Sequence, residues 1–96
     1  MASFGQLMAF VRTEFQGDVI RNGSILKALL RRYGEPAVDV MLHGARILGW
    51  HDLRALNSKE GIGRRWATAA YWQQQKRADW HPPERLKAIL WEAINK

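Results

Sequence analysis

The chain has 96 residues, enough for one hydrophobic core and too few for two. Its hydrophobic fraction of 47% and charged fraction of 25% are typical of a folded globular protein and exclude a disordered chain. We therefore expect residues 1–96 to form a single domain. Fifteen Lys and Arg against nine Asp and Glu give a formal net charge of +6, which favours an anionic partner.

Several classes of protein are excluded by what the sequence lacks. The chain has no cysteine, which excludes a disulfide framework, a thiolate nucleophile and zinc sites built on Cys ligands. No apolar stretch approaches the ~20 residues of a membrane-spanning helix, so we expect no membrane partner. The N-terminus shows no basic leader followed by an apolar stretch, which predicts a cytoplasmic protein without a secretory signal.

The first predicted helix runs from about Phe4 to Phe15, because apolar residues recur there at the spacing of one helical face. Ser3 followed three residues later by Gln6 has the form of a capping box, which satisfies free amides at a helix start. Gly17 is expected to end this helix.

The second predicted helix runs over residues 24–33, with Asn22 or Ser24 as its N-cap and Gly34 as its end. Its inward residues are Ile25, Leu26, Leu29, Leu30 and Tyr33. Residues 17–23 are then a connector.

A third helix is predicted to start around Pro36, which suits a first helical turn, and to close at Gly49. Its buried stripe comprises Val38, Met41, Leu42, Ala45 and Leu48. Asp52 is expected to cap a short turn that continues through Leu56.

A longer helix is predicted from about Gly61 to Arg77, and the Pro82-Pro83 pair separates it from a final helix over residues 84–94. The inward positions are expected to be Ile62, Trp66, Ala69, Ala70 and Gln73 in the first, and Leu86, Ile89, Leu90 and Ala93 in the second. No stretch alternates strictly between apolar and polar residues. The predicted fold is all-α, a compact bundle of five or six short helices.

Positive charge is concentrated in one predicted helix. Residues 1–60 carry a net charge of +2 and residues 79–96 a net charge of zero. Residues 61–78 contain four basic side chains and no acidic one. The excess positive charge therefore belongs mainly to the helix that begins near Gly61.

Aromatic and amide side chains share that helix with the cations, and this mixture is typical of nucleic-acid binding. Cations release the counterions of phosphates, rings stack on exposed bases, and Gln73 to Gln75 add hydrogen-bonding groups. At 100° per residue, Arg65, Trp72 and Lys76 share one side of the helix with Tyr71. The predicted contacts are Arg54, Lys59, Arg64, Arg65, Tyr71, Trp72, Lys76 and Arg77. The alternative is a solvated basic surface with Trp66 and Trp72 in the core.

The glycine-containing segment 57–65 is a candidate anion site at a helix start, where free amides meet Lys59, Arg64 and Arg65. It is not a P-loop, since the Gly-Lys-Ser/Thr ending is missing. The alternative is that Gly61 and Gly63 only allow the chain to turn.

A helix-turn-helix is a further possibility in two registers, one centred on Gly49 and one on Gly34. In the first, Arg54 is the outward side chain that contacts DNA. An ordinary pair of antiparallel helices produces the same pattern. The residues around Tyr33-Gly34-Glu35-Pro36-Ala37-Val38 resemble a short segment of helical replication proteins of the DnaD type, which implies a helical fold and assigns no family.

The sequence offers little for catalysis. His43, His51 and His81 lack the spacing that places two imidazoles on one helical turn, so we expect no metal site. His43 lies beside the inward stripe of the third helix and is expected at the edge of the core. The Gly-x-Ser-x-Gly signature is missing, and we expect neither enzymatic activity nor a cofactor.

The predicted function is binding of nucleic acid, DNA rather than RNA, in a process such as replication or transcription. The alternative is a protein-interaction or self-associating module, with a protein partner or a second copy of the chain as its ligand. Its basis is the presence of five Trp residues, which are many for so small a domain, together with Arg.

Overall fold

The computed structural model describes residues 3–85, together with residues 88 and 92. Its elements are α1 (Phe4–Glu14), α2 (Val19–Tyr33), α3 (Glu35–Ile47), a 3₁₀ helix (Leu53–Leu56) and α4 (Ile62–Lys76). Over these residues there is no strand, only an isolated bridge between Gln16 and Asp52. The all-α prediction is confirmed.

The predicted number of five or six helices is not confirmed. The described part of the chain contains four α-helices and one 3₁₀ helix. Of the predicted final helix, positions 84, 85, 88 and 92 are helical. Its remaining positions, including the expected inward residues Leu86, Ile89, Leu90 and Ala93, lie outside the described residues.

The start of α1 is the predicted capping box. The Ser3 amide donates to Gln6 Oε1 at 2.9 Å, and the Gln6 amide donates to Ser3 Oγ at 3.3 Å. The helix ends before Gly17, because Phe15 is already extended and its amide closes the last turn on the carbonyl of Val11. Leu7, Met8, Val11 and Phe15 form its buried face.

The predicted start of α2 is wrong. The helix begins at Val19, and the N-cap is Asp18, whose Oδ1 accepts a hydrogen bond from the Ile20 amide at 2.8 Å. Val19 and Ile20 in the first turn are 50% and 80% exposed, so these apolar residues do not continue the buried stripe from which the helix was predicted. Asn22 lies inside the helix, 2% exposed, where its Nδ2 donates to the carbonyl of Gln16 at 3.2 Å. Ser24, the other predicted cap, is also helical.

The third helix agrees closely with its prediction. All five residues of the expected stripe are buried: Val38, Met41, Leu42, Ala45 and Leu48. Gly34 caps both α2 and α3 with a φ of 85°, a conformation that favours glycine. Asp52 Oδ1 accepts from the Arg54 amide at 2.9 Å and so caps the 3₁₀ helix as expected.

The inward face predicted for α4 is largely wrong. Trp66, Ala69 and Gln73 are exposed, and the buried face consists of Gly63, Ala67 and Ala70. The reason is the close approach of α3, because a Cβ atom added at Gly44 would overlap the backbone carbonyl of Ala67. Small residues allow that approach, and the large side chains of α4 lie on the other faces of the helix.

The core is closed by residues of the connectors as well as by the helices. Trp50, between α3 and the 3₁₀ helix, is only 4% exposed. The Gln16 amide donates to the carbonyl of His51 at 2.6 Å, which joins the α1–α2 connector to the segment after α3. Within the described residues, no helix has the length and apolar character needed to cross a bilayer.

Candidate nucleic-acid interface

The outward face of α4 carries Arg65, Trp72 and Lys76 in one line, which we call the basic strip. Intervals of seven and four residues place these side chains within about 40° of one another around the helix axis. They lie opposite the buried face of Gly63, Ala67 and Ala70. Trp72 is 53% exposed, so the ring is not in the core. Over the described residues, neither cation of the strip has an ion pair or a hydrogen bond from its side chain.

Tyr71 lies at the edge of the basic strip, turned towards α3. It is partly buried, and its ring centroid is 5.1 Å from that of Trp72 and 6.5 Å from that of His43, both in edge-to-face geometry. Tyr71 therefore lies between the strip and α3, and it is less exposed than the three residues with which it was predicted to share one side of the helix.

A second group of cations lies at the N-terminal end of α4. The guanidinium carbons of Arg32 and Arg64 lie 5.2 Å and 5.4 Å from the centroid of the Tyr33 ring. We call these two arginines and Arg65, which lines the adjoining groove with Tyr33, the arginine cluster. It borders an open groove of about 530 Å³, lined by Tyr33, Met41, Glu60, Gly61, Arg64, Arg65, Thr68 and Ala69.

Arg64 also has a structural role within this cluster. Its Nη1 donates to the carbonyls of Leu56 at 3.0 Å and of Ser58 at 2.9 Å, which fixes the turn before α4. Gly61 caps α4 in the left-handed region, and among the described residues no side-chain hydrogen bond caps this helix start. Lys59 is exposed in the same turn.

Two of the predicted contacts already have acidic partners. Arg54 donates to Asp52 Oδ2 from Nε at 2.9 Å and from Nη2 at 2.7 Å. This hydrogen bond from Arg54 holds the pKa of Asp52 below its ordinary value of 3.8. Arg77 lies 3.9 Å from the carboxylate of Asp79. Both are exposed, but their charges are partly neutralised and they lie outside the basic strip.

Neither helix-turn-helix register is confirmed. After Gly49 the second element is the four-residue 3₁₀ helix, about 8 Å long, whose Leu53, Ala55 and Leu56 are buried. At Gly34, a single residue joins α2 to α3, whereas the motif uses a turn of about three or four residues.

A second groove, lined by residues of α1, α3 and α4, was not predicted from the sequence. It holds about 370 Å³ and is lined by Phe10, Glu14, His43, Arg46, Ile47, Tyr71, Gln74 and Gln75. His43 stacks on Phe10 with ring centroids 4.5 Å apart and planes at 26°. We call this the aromatic groove. Its three rings come from α1, α3 and α4, and no local sequence pattern places them together.

Comparison with known proteins finds no relative of this chain. No family model matches the chain, and no curated protein or solved structure is significantly similar to it. Among the described residues, no three His, Asp or Glu side chains are grouped so that they could hold a metal ion. The function is therefore inferred from the chain's own residues.

Proposed function

We propose that this protein binds nucleic acid through the basic strip of α4, without catalysing a reaction, and that DNA is its ligand. The observation that carries the proposal is the alignment of Arg65, Trp72 and Lys76 on one exposed helix face. A strongly cationic face with an exposed indole suits a chain of phosphates that carries aromatic bases.

The dimensions of the strip fit a short stretch of nucleic acid. Arg65 and Lys76 are eleven residues apart, which is about 16 Å along the axis at 1.5 Å per residue. That length corresponds to roughly five phosphates of one strand at the 3.4 Å spacing of B-form DNA. The arginine cluster extends the positive surface beyond Arg65, so the contact need not end there.

The absence of acidic partners matters as much as the presence of cations. Residues 61–78 contain no Asp or Glu, and over the described part of the chain Arg65 and Lys76 are not paired. Each cation can therefore displace counterions from a phosphate without first breaking an ion pair. Arg54 and Arg77, which have acidic partners, are expected to contribute less.

The proposal is tested by binding measurements at several salt concentrations with single-stranded DNA, duplex DNA and RNA of equal length. Affinity is expected to fall steeply with salt, with a log–log slope of about −0.7 to −0.9 for each phosphate neutralised. Binding to none of the three ligands at low salt would contradict the proposal, and a preference for RNA would correct the choice of DNA.

Self-association is the second candidate, because Trp66 is also 39% exposed on α4. Exposed tryptophans are frequent anchors of protein interfaces. A homo-oligomer held by Trp66 would be comparatively insensitive to salt, whereas contacts to phosphates are not. Sedimentation of the wild type and of Trp66→Ala at low and high salt separates these two candidates.

A further inference from the structure

The aromatic groove differs from the rest of the α4 surface because its walls are ring faces and ring edges. The nearly parallel Phe10 and His43 rings form one wall, and Tyr71 approaches His43 edge-on from α4. The His43 side chain is still about half exposed, and the backbone carbonyl of Asp39 lies 2.9 Å from its Nδ1. That contact helps hold the imidazole in place on α3. The groove therefore presents rings that are already ordered and still reachable.

The charges in this groove compensate each other. Arg46 Nε lies 3.3 Å from Glu14 Oε2, and Arg46 Nη1 donates to the carbonyl of Trp50 at 3.1 Å. The groove beside the arginine cluster is lined by two guanidinium groups, those of Arg64 and Arg65, and by the single carboxylate of Glu60, while Arg32 lies on the Tyr33 ring. A phosphate is therefore attracted to the arginine cluster and the basic strip, and the aromatic groove suits a neutral planar ligand.

Two neutral amides line the same groove. Gln75 is exposed, and in the described part of the chain its side chain has no hydrogen-bond partner. Gln74 Nε2 reaches the carbonyl of Trp80 only at 3.5 Å, the limit of a hydrogen bond. An amide carries both a donor and an acceptor, which matches the edge of a nucleobase.

We infer that the aromatic groove binds one unpaired base of a single-stranded nucleic acid whose phosphates lie along the basic strip. This inference rests on the proposed function and names its ligand more closely. Trp72 belongs to the strip and touches Tyr71, which belongs to the groove, so the two surfaces are continuous. A base can enter only after it has left the helical stack, and this favours single strands over duplexes.

The test uses three ligands and two matched variants. The ligands are a labelled thymidine oligonucleotide, an oligonucleotide of the same length with abasic sugars throughout, and the thymidine strand paired in a duplex. The variants are Gln75→Ala in the groove and Gln16→Ala, an exposed glutamine of the α1–α2 connector that lines neither the aromatic groove nor the groove of the arginine cluster. Both changes remove an exposed side chain, so both proteins are expected to fold. Fluorescence anisotropy gives the dissociation constants.

The wild type is expected to bind the thymidine strand more tightly than the abasic strand or the duplex. Gln75→Ala should weaken binding to the thymidine strand about five- to tenfold, as expected when one hydrogen bond is removed, and leave the abasic strand unaffected. Gln16→Ala should change neither. His43→Ala should likewise weaken only the thymidine complex, since it removes a stacking surface.

Two results would overturn the inference in different ways. Equal binding of all three ligands, with Gln75→Ala indistinguishable from Gln16→Ala, would refute the base-binding groove while the proposed function stood. Failure of the wild type to bind any of the three at low salt would refute the proposed function, and the groove's role with it.

Discussion

Gly44 of α3 lies so close to Ala67 of α4 that no side chain fits between them. A Cβ atom at position 44 would overlap the Ala67 carbonyl, and one at Gly63 would overlap the carbonyl of Ala55. These two contacts turn the small-residue face of α4 inward. The opposite face, with Arg65 and Trp72, consequently faces solvent.

Gly44→Ala is therefore expected to destabilise the fold by about 1–3 kcal/mol, because α3 and α4 must move apart to accommodate one methyl group. Gly23→Ala is the matched control, since nothing lies within 4 Å of a Cβ atom at that position of α2. It should stabilise the protein by about 0.5–1 kcal/mol, as alanine does inside a helix. Urea unfolding measures both, and equal effects of the same sign would contradict the packing described.

Trp72 and Trp50 are expected to respond in opposite ways to truncation. Trp50→Ala removes a buried ring and should cost about 3–5 kcal/mol of stability. Trp72→Ala should change stability little and, if the indole stacks on a base, cost about 1–3 kcal/mol of binding to single-stranded DNA. Thermal unfolding and anisotropy titration of both variants provide the comparison. Early melting of Trp72→Ala would contradict its place in the basic strip.

The lowered pKa of Asp52 predicts an acid-sensitive contribution to stability. Because the folded-state pKa lies below 3.8, the unfolded chain binds this proton more tightly than the folded chain does. The contribution is fully present above about pH 5 and is lost as the pH falls through the folded-state pKa.

Asp52→Asn keeps a good N-cap residue but removes the charge that faces Arg54 and Arg21. We expect the variant to be less stable than the wild type at pH 7, with a difference that narrows steadily below pH 4. Asp79→Asn is the control, since that carboxylate is exposed and its distance of 3.9 Å from Arg77 is long for an ion pair. A difference between wild type and Asp52→Asn that is independent of pH would contradict the assignment.

Local chemistry made α1 and α3 predictable from sequence. The Ser3–Gln6 capping box and the apolar stripe of α3 act within a few residues, so the sequence pattern contains them completely. The start of α2 was not predicted because Asn22 is buried inside the helix, where its side-chain amide donates a hydrogen bond to the carbonyl of Gln16. A polar residue that is buried and paired in this way looks like a cap or a connector in the sequence alone.

The candidate site was predictable only in part, for a related reason. Arg65, Trp72 and Lys76 lie on one helix, and helical geometry sufficed to align them. The arginine cluster needs Tyr33 of α2 to meet Arg64 of α4, and the aromatic groove needs His43 to meet rings from two other helices. Such meetings depend on how helices pack, and the close approach at Gly44 is what determines that packing for α4.

The most direct test of nucleic-acid binding by α4 is the salt dependence of single-stranded DNA binding by the double variant Arg65→Gln/Lys76→Gln. Its charge-matched control is Arg12→Gln/Lys27→Gln, which removes two exposed cations from α1 and α2 that line neither groove. Arg64 is left unchanged because it fixes the turn before α4.

We predict that the α4 variant keeps its helical circular dichroism and binds more weakly than the control. Its log–log salt slope should be smaller than that of the wild type by about one unit for each phosphate that the variant no longer neutralises. Equal affinity and equal slope for the two double variants would show that the charge of the whole molecule, and not the basic strip, attracts the ligand.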